Sequence, residues 1–171
     1  RHGEGFVRTV GSFDQRSARE WGADLIRPMT LDDLPEVARL GATFHARAGW
    51  DEIEYNEADC IASLTRFMET GSFIGLVADD GHIVGMVGGI ISPVYFNYSH
   101  ISGEELFWYV ADRAPQMTGI KLLKAMESEA RTHGCRSWQM KSLDRLGGAR
   151  MVRLYERMGY RKSESLFIKE L

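Results

Sequence analysis

Two adjacent carboxylates, Glu104 and Glu105, stand at the head of an apolar run, Leu106-Phe107-Trp108-Tyr109-Val110, and can accept protons. Neighbouring strand residues point to opposite faces, so only one of the two can face a given cleft. The plainer alternative is a pair of solvated carboxylates at a strand end. A second acidic group, Asp51, Glu52, Glu54 and Glu57, could attract a cationic amine or simply form a solvated helix entrance favoured by the helix dipole. Arg145, Arg150, Arg153, Arg157 and Arg161 give a basic helical face, which suits solvation or a partner contact. The five histidines show no H-x-H or H-x-x-x-H spacing, and Cys60 and Cys135 make no C-x-x-C pattern. Neither a metal centre nor a disulfide framework is expected, and both cysteines read as reduced thiols.

These groups need a scaffold, and 171 residues suffice for one domain of ordinary size. With 44% apolar and 26% charged residues, the composition is that of a chain with a packed core. A net charge of −3 provides no field that would gather nucleic acid. The longest apolar stretches, such as 83–92, are about half the ~20 residues of a membrane span, and residues 1–24 lack the apolar centre of a secretory signal. A soluble, cytoplasmic protein is expected. Residues 1–23 show no clean period and read as an N-terminal extension.

From there the pattern predicts a short strand over 24–27 stopped by Pro28, then a helix opened by Thr30 and Asp33 as a capping box. A second helix is expected from about Asn56 to Glu69. Residues 72–78 and 82–91 read as a hairpin about Asp79-Asp80-Gly81, with Pro93 closing the second strand. Residues 97–103 read as a polar connection into a central strand, 105–110. A loop over 112–118 then leads to a helix of about fifteen residues stopped at His133-Gly134. A strand over 137–141, a helix over 149–158 and one or two strands over 160–170 complete the chain.

That order, with Leu154-Tyr155-Glu156-Arg157-Met158-Gly159-Tyr160, resembles the GNAT superfamily of N-acetyltransferases, whose corresponding motif is L-Y-E-x-x-G-[FY]. Ile26-Arg27-Pro28, Thr30-Leu31-Asp32-Asp33 and Ile83-Val84-Gly85 match further parts, so the resemblance covers residues 24–171 as one domain. Within the superfamily, residues 105–110, Leu122-Leu123 and the closing Phe167-Ile168-Lys169-Glu170-Leu171 look most like small phage or prophage-type members.

The resemblance implies an α/β (α+β) GNAT fold, a mixed central sheet of about six to seven strands flanked by about four helices. It implies acetyl-CoA as co-substrate, an amine on a small molecule or peptide as acceptor, and direct attack of that amine on the thioester. Tyr155 then corresponds to the phenol that faces the thioester sulfur as donor, its alternative being to pack beside Met151, Leu154 and Met158. Glu104 or Glu105 would assist loss of the amine's proton, with Glu104 favoured by its spacing to Val110. Trp50, Tyr95, Phe96, Tyr98 and His100 fall in loops that border the acceptor pocket in this fold, or that cover the sheet edge.

Cofactor contacts are implied for Trp108, Val110, Arg113, Gln116, Met117, Thr118, Gly119 and Ile120, where a loop feeds a helix N-terminus and backbone N–H groups can meet a pyrophosphate. The family pattern here is [RQ]-x-x-G-x-[GA], and of Ala114-Pro115-Gln116-Met117-Thr118-Gly119 only Gly119 matches. Met117 stands where glycine would allow close backbone approach, and Ala114 lacks the usual cation or amide. Either Arg113, Gln116 and Thr118 serve a modified loop, or the protein is a GNAT-shaped binding module with weak or no affinity for acyl-CoA. A homodimer through the C-terminal strands is a further expectation.

Overall fold

The turn Asp79-Asp80-Gly81 sets the register of the sheet: Gly81 takes a φ of 98°, a conformation that costs glycine little, and its N–H donates to Asp79 Oδ1 at 3.0 Å. On either side, β2 (Phe73–Asp79) and β3 (Ile83–Val94) pair antiparallel, as the sequence predicts. The computed structural model describes residues 25–169; the N-terminal extension over 1–23, Asp24, Glu170 and Leu171 lie outside them. A short β1 (Ile26–Pro28) pairs antiparallel with β2, and β4 (Asn97–Val110) pairs antiparallel with β3. The last strand, β5 (Cys135–Gln139), lies parallel to β4, giving the order β1-β2-β3-β4-β5.

Four helices flank this sheet: α1 (Leu34–Ala48), α2 (Glu57–Glu69), α3 (Thr118–Thr132) and α4 (Gly148–Arg157). The Asp33 carboxylate accepts from the Thr30 N–H at 2.7 Å and from two Arg27 nitrogens at 2.7 and 2.8 Å, tying β1 to the start of α1. Asn56 caps α2 by accepting from the Asp59 N–H. Gly134, at φ 80°, ends α3 where a left-handed cap is expected. On one face of the sheet, Leu34, Val37 and Phe44 of α1 and Leu64 of α2 pack on Phe73, Val77, Met86 and Tyr109. On the other, Leu122, Met126 and Ala130 of α3 pack on Ile74, Leu76, Val84 and Val87. Each such aliphatic side chain, removed from water, contributes roughly 1.5–3 kcal/mol.

Four expectations are corrected. The sheet has five strands among the described residues, not six to seven. The missing ones are those placed over 160–170: residues 160–169 form no strand, and Leu166, Phe167 and Ile168 are 80–90% exposed. An apolar triplet has strand character, but a strand also needs an edge to pair with, and this segment follows none. Residues 97–103 are not a connection but the first half of β4, of which Ile101–Gly103 pair with both β3 and β5 and Asn97 with β3. Their polarity marks an uncovered face, not a loop. Pro28 ends the edge strand β1, as expected, whereas Pro93 does not close β3, which runs on to Val94; Pro93 sits beside a register shift, where a missing N–H is tolerated.

Candidate active site

The centre of the site follows from how β4 changes partners. Its parallel pairing with β5 runs as far as Glu104 opposite Gln139, while its pairing with β3 continues to Val110 opposite Gly85. Past Glu104 the two strands part, and Glu105–Val110 line one wall of an open wedge. At the same place Gly88 pairs with Phe107 and Gly89 with Glu105, which leaves Leu106 as the extra residue of a bulge and bends the strand.

Alternation separates the two carboxylates. The Glu104 side chain is 54% exposed and pairs with Lys141 Nζ at 2.8 Å. Glu105 is only 5% exposed, and its Oε2 accepts from the Lys141 backbone N–H at 2.9 Å. Burial pushes the Glu105 carboxyl up to about 7, against the pull of that N–H and of the Lys141 charge. The same Lys141 peptide unit receives the Tyr155 hydroxyl, which donates to its carbonyl oxygen at 2.9 Å. Tyr155 is 8% exposed, and burial, with the neighbouring Glu105, raises its phenol above the ordinary tyrosine range. The strand residue Glu105 and the helix residue Tyr155, fifty positions apart, thus meet on one peptide group. Nothing in the sequence marks Lys141 itself, because its backbone does the joining.

Trp108 and Tyr160 extend this cluster, their rings lying 6.1 and 5.6 Å from that of Tyr155. The Tyr160 hydroxyl donates to Glu127 Oε1 at 2.7 Å, which pins the end of the L-Y-E motif to α3. Gly119, in the first turn of α3, sits against Trp108 and Val110: a Cβ there would lie 3.3 Å from Trp108 Cζ2 and 3.4 Å from Val110 Cγ2. Trp108 Nε1 is buried with no hydrogen-bond partner.

The loop before α3 takes a left-handed turn at a residue that is not glycine. Met117 has φ 68°, the one positive φ at a non-glycine position among the described residues, and its side chain is 58% exposed. Thr118 is buried and its hydroxyl donates to the Pro115 carbonyl at 2.7 Å, so it holds the loop's own backbone. Arg113 donates to the Ile83 carbonyl at 3.2 Å, and Gln116 is exposed. The backbone N–H groups of Gly119 and Ile120 belong to the first turn of α3, where intrahelical acceptors are lacking.

The aromatic set divides. Trp50 packs edge-on against Phe44 at 5.5 Å, and Tyr95 meets Phe96 at the β3–β4 turn, whereas Tyr98 and His100 stand on β4 and not in a loop. Of the acidic group, Asp51 pairs with Arg145 Nη1 at 2.6 Å, joining the α1–α2 connection to the segment before α4.

Known proteins share this fold. Solved structures that superpose on the chain include a ribosomal-protein-alanine N-acetyltransferase from Brucella melitensis biovar Abortus 2308, with 17% identity, 85% of this chain and 97% of that chain covered, and a TM-score of 0.66. A predicted acetyltransferase from Clostridium acetobutylicum, determined with acetyl-CoA, gives 13% identity, coverage of 85% and 94%, and a TM-score of 0.67. For glucosamine-6-phosphate N-acetyltransferase from Arabidopsis thaliana the values are 15%, 85% and 96%, and 0.63. No curated protein matches the sequence. The model of the acetyltransferase (GNAT) family matches residues 37–160, from α1 through the wedge and Tyr155 to Tyr160, and the chain belongs to that family.

Proposed function

We propose that the protein transfers the acetyl group of acetyl-CoA to a primary amine, in a ternary complex formed about the β4–β5 wedge. The observation that carries this reading is the meeting of Glu105 and Tyr155 on the Lys141 peptide, where the pairing of β4 with β5 ends and β4 runs on through Trp108 and Val110 to the first turn of α3.

Acetyl-CoA supplies an acyl group already activated as a thioester. The residues suited to hold it are the N–H groups of Gly119 and Ile120, which with the helix dipole favour phosphate, and the apolar wall of Trp108 and Val110. Thr118 and Arg113 support the loop through their backbone contacts. Glu105, with a pKa near 7, is matched to taking the proton that the attacking ammonium must lose, directly or through a water. Glu104 is open to solvent and gives the incoming cation a carboxylate to exchange with Lys141. Tyr155 is a weaker acid than a thiol, whose ordinary pKa is about 8.5, so it steadies the departing thiolate by turning its one O–H from the Lys141 carbonyl to the sulfur and does not transfer its proton outright.

Isothermal titration with acetyl-CoA tests the first half of the reading: binding at submillimolar ligand is expected, and its absence would sink the proposal. Tyr155→Phe then separates the roles. It should leave the acetyl-CoA Kd within about twofold while kcat falls by roughly tenfold or more. Equal losses in both would return Tyr155 to a packing role.

A further inference from the structure

Among the described residues, no helix packs on half of the α1–α2 face of the sheet. The core on that face takes Leu106, Phe107 and Tyr109 from β4, all in its C-terminal half. By alternation from Glu104, Ser102 and His100 share this face with Ser137, while Tyr98 lies beyond them in a stretch, 98–100, that has no β3 partner. Tyr98 is 80% exposed. On β5, Ser137 lies opposite Ser102 and Gln139 opposite Glu104, and both are exposed. Their side chains form one connected row: His100 Nε2 lies 3.1 Å from Ser137 Oγ, Ser137 Oγ donates to Ser102 Oγ at 2.9 Å, and Gln139 Nε2 donates to Ser102 Oγ at 3.3 Å. Six residues of β4, about 20 Å at strand rise, separate Tyr98 from Glu104.

We infer that this row is the acceptor platform, and that the acceptor is an amine carried on a polyhydroxylated, sugar-like body, its ammonium at Glu104 and its hydroxyls on His100, Ser102, Ser137 and Gln139. The inference rests on the acetyl-transfer reading above. Three features select this chemistry. From Ile101 to Glu104 the backbone of β4 is already paired on both sides, so a peptide cannot dock there by adding a strand, and recognition falls to side chains. Those side chains are hydroxyl, amide and imidazole groups, each able to turn as donor or acceptor, which suits a ligand whose hydroxyls do both. The exposed Tyr98 ring offers a face against which a sugar-like ring can rest. The row also leads into Glu104, one residue from Glu105, so a ligand lying along it delivers its amine to the wedge.

The test compares acetyl transfer to four amines at equal concentration: glucosamine, kanamycin, spermidine and a lysine-containing tripeptide. A polyhydroxylated amine should give the highest kcat/KM. The double variant Ser102→Ala, Ser137→Ala removes two neutral hydrogen-bonding groups and should raise its KM roughly tenfold, leaving kcat, the acetyl-CoA KM and turnover of spermidine nearly unchanged. Highest kcat/KM for spermidine or the tripeptide, or no effect of the double variant on KM, overturns the inference. Saturation-transfer NMR with kanamycin and no acetyl-CoA separates the two readings. Binding lost in the double variant, with no acetyl transfer to any amine, would preserve the platform and defeat the transfer reading; no binding would defeat the platform while acetyl-CoA titration still judged the other.

Discussion

Replacing Met117 by glycine should both stabilise the protein and tighten its hold on acetyl-CoA. Met117 occupies φ 68°, ψ −1°, immediately before α3, and a side chain there meets the following carbonyl at a cost of about 1–2 kcal/mol. Glycine removes that cost but gives the unfolded chain more freedom, worth about 0.5–1 kcal/mol in the other direction. Since the methionine is 58% exposed, little buried surface is lost. The net gain is about 0.5–1 kcal/mol, or near 2 °C in Tm for a chain of this length. On the ligand side, a phosphate approaching the Gly119 and Ile120 N–H groups need no longer order a long side chain beside it, a saving of about 0.5–1.5 kcal/mol that lowers Kd roughly two- to tenfold. Thermal unfolding followed by circular dichroism and titration with acetyl-CoA measure the two effects. Met117→Ala is the control, because it keeps a Cβ at the strained position and should not raise Tm. An equal rise for alanine, or a fall for glycine, would refute the backbone argument; an unchanged Kd for Met117→Gly would refute the account of the loop.

Three further outcomes follow from packing and charge. Glu105→Gln should be more stable than the parent above neutral pH: the folded pKa near 7 exceeds the ordinary 4.5, so the parent's stability is full below about 4.5 and declines until about 7, by up to ~3 kcal/mol, while glutamine does not titrate. Urea unfolding at pH 5 and pH 8 measures this, and the same difference at both values would contradict it. For Asp33→Asn the sign reverses, since hydrogen bonds from Arg27 hold the carboxyl down to about 2: the variant should lose about 1–2 kcal/mol at pH 7, with the deficit vanishing as pH falls from about 4 toward 2. A deficit that persists at low pH would mean that the charge is not its source. In Gly103→Ala the new Cβ would collide with the Trp138 ring between β4 and β5, so a loss of about 1–3 kcal/mol is expected in thermal unfolding, and a neutral outcome would show that the ring can move aside.

Much of the scaffold is legible in residue pattern because its elements are local. The hairpin about Gly81 and the helices capped by Asn56 and Gly134 each carry their own stop or start signal within a few residues. What is not legible depends on partners far along the chain. His100 and Ser102 look like loop because they are polar, yet they are strand residues whose other face, through Ile101 and Gly103, turns to the opposite side of the sheet. Leu166 to Ile168 look like strand because they are apolar, but pairing is a property of two segments and cannot be read from one.

The same distinction governs the site. Tyr155 and the two glutamates are visible by type and motif, but which glutamate does what is decided by a bulge at Leu106 and by the point where β5 leaves β4. That geometry buries Glu105 beside Tyr155 and leaves Glu104 exposed with Lys141. A difference in environment between adjacent carboxylates then needs no difference in residue type. One strand separates two environments, a dry one that lifts a carboxyl toward neutrality and a wet one in which its neighbour pairs with Lys141, and β4 runs along the boundary between them.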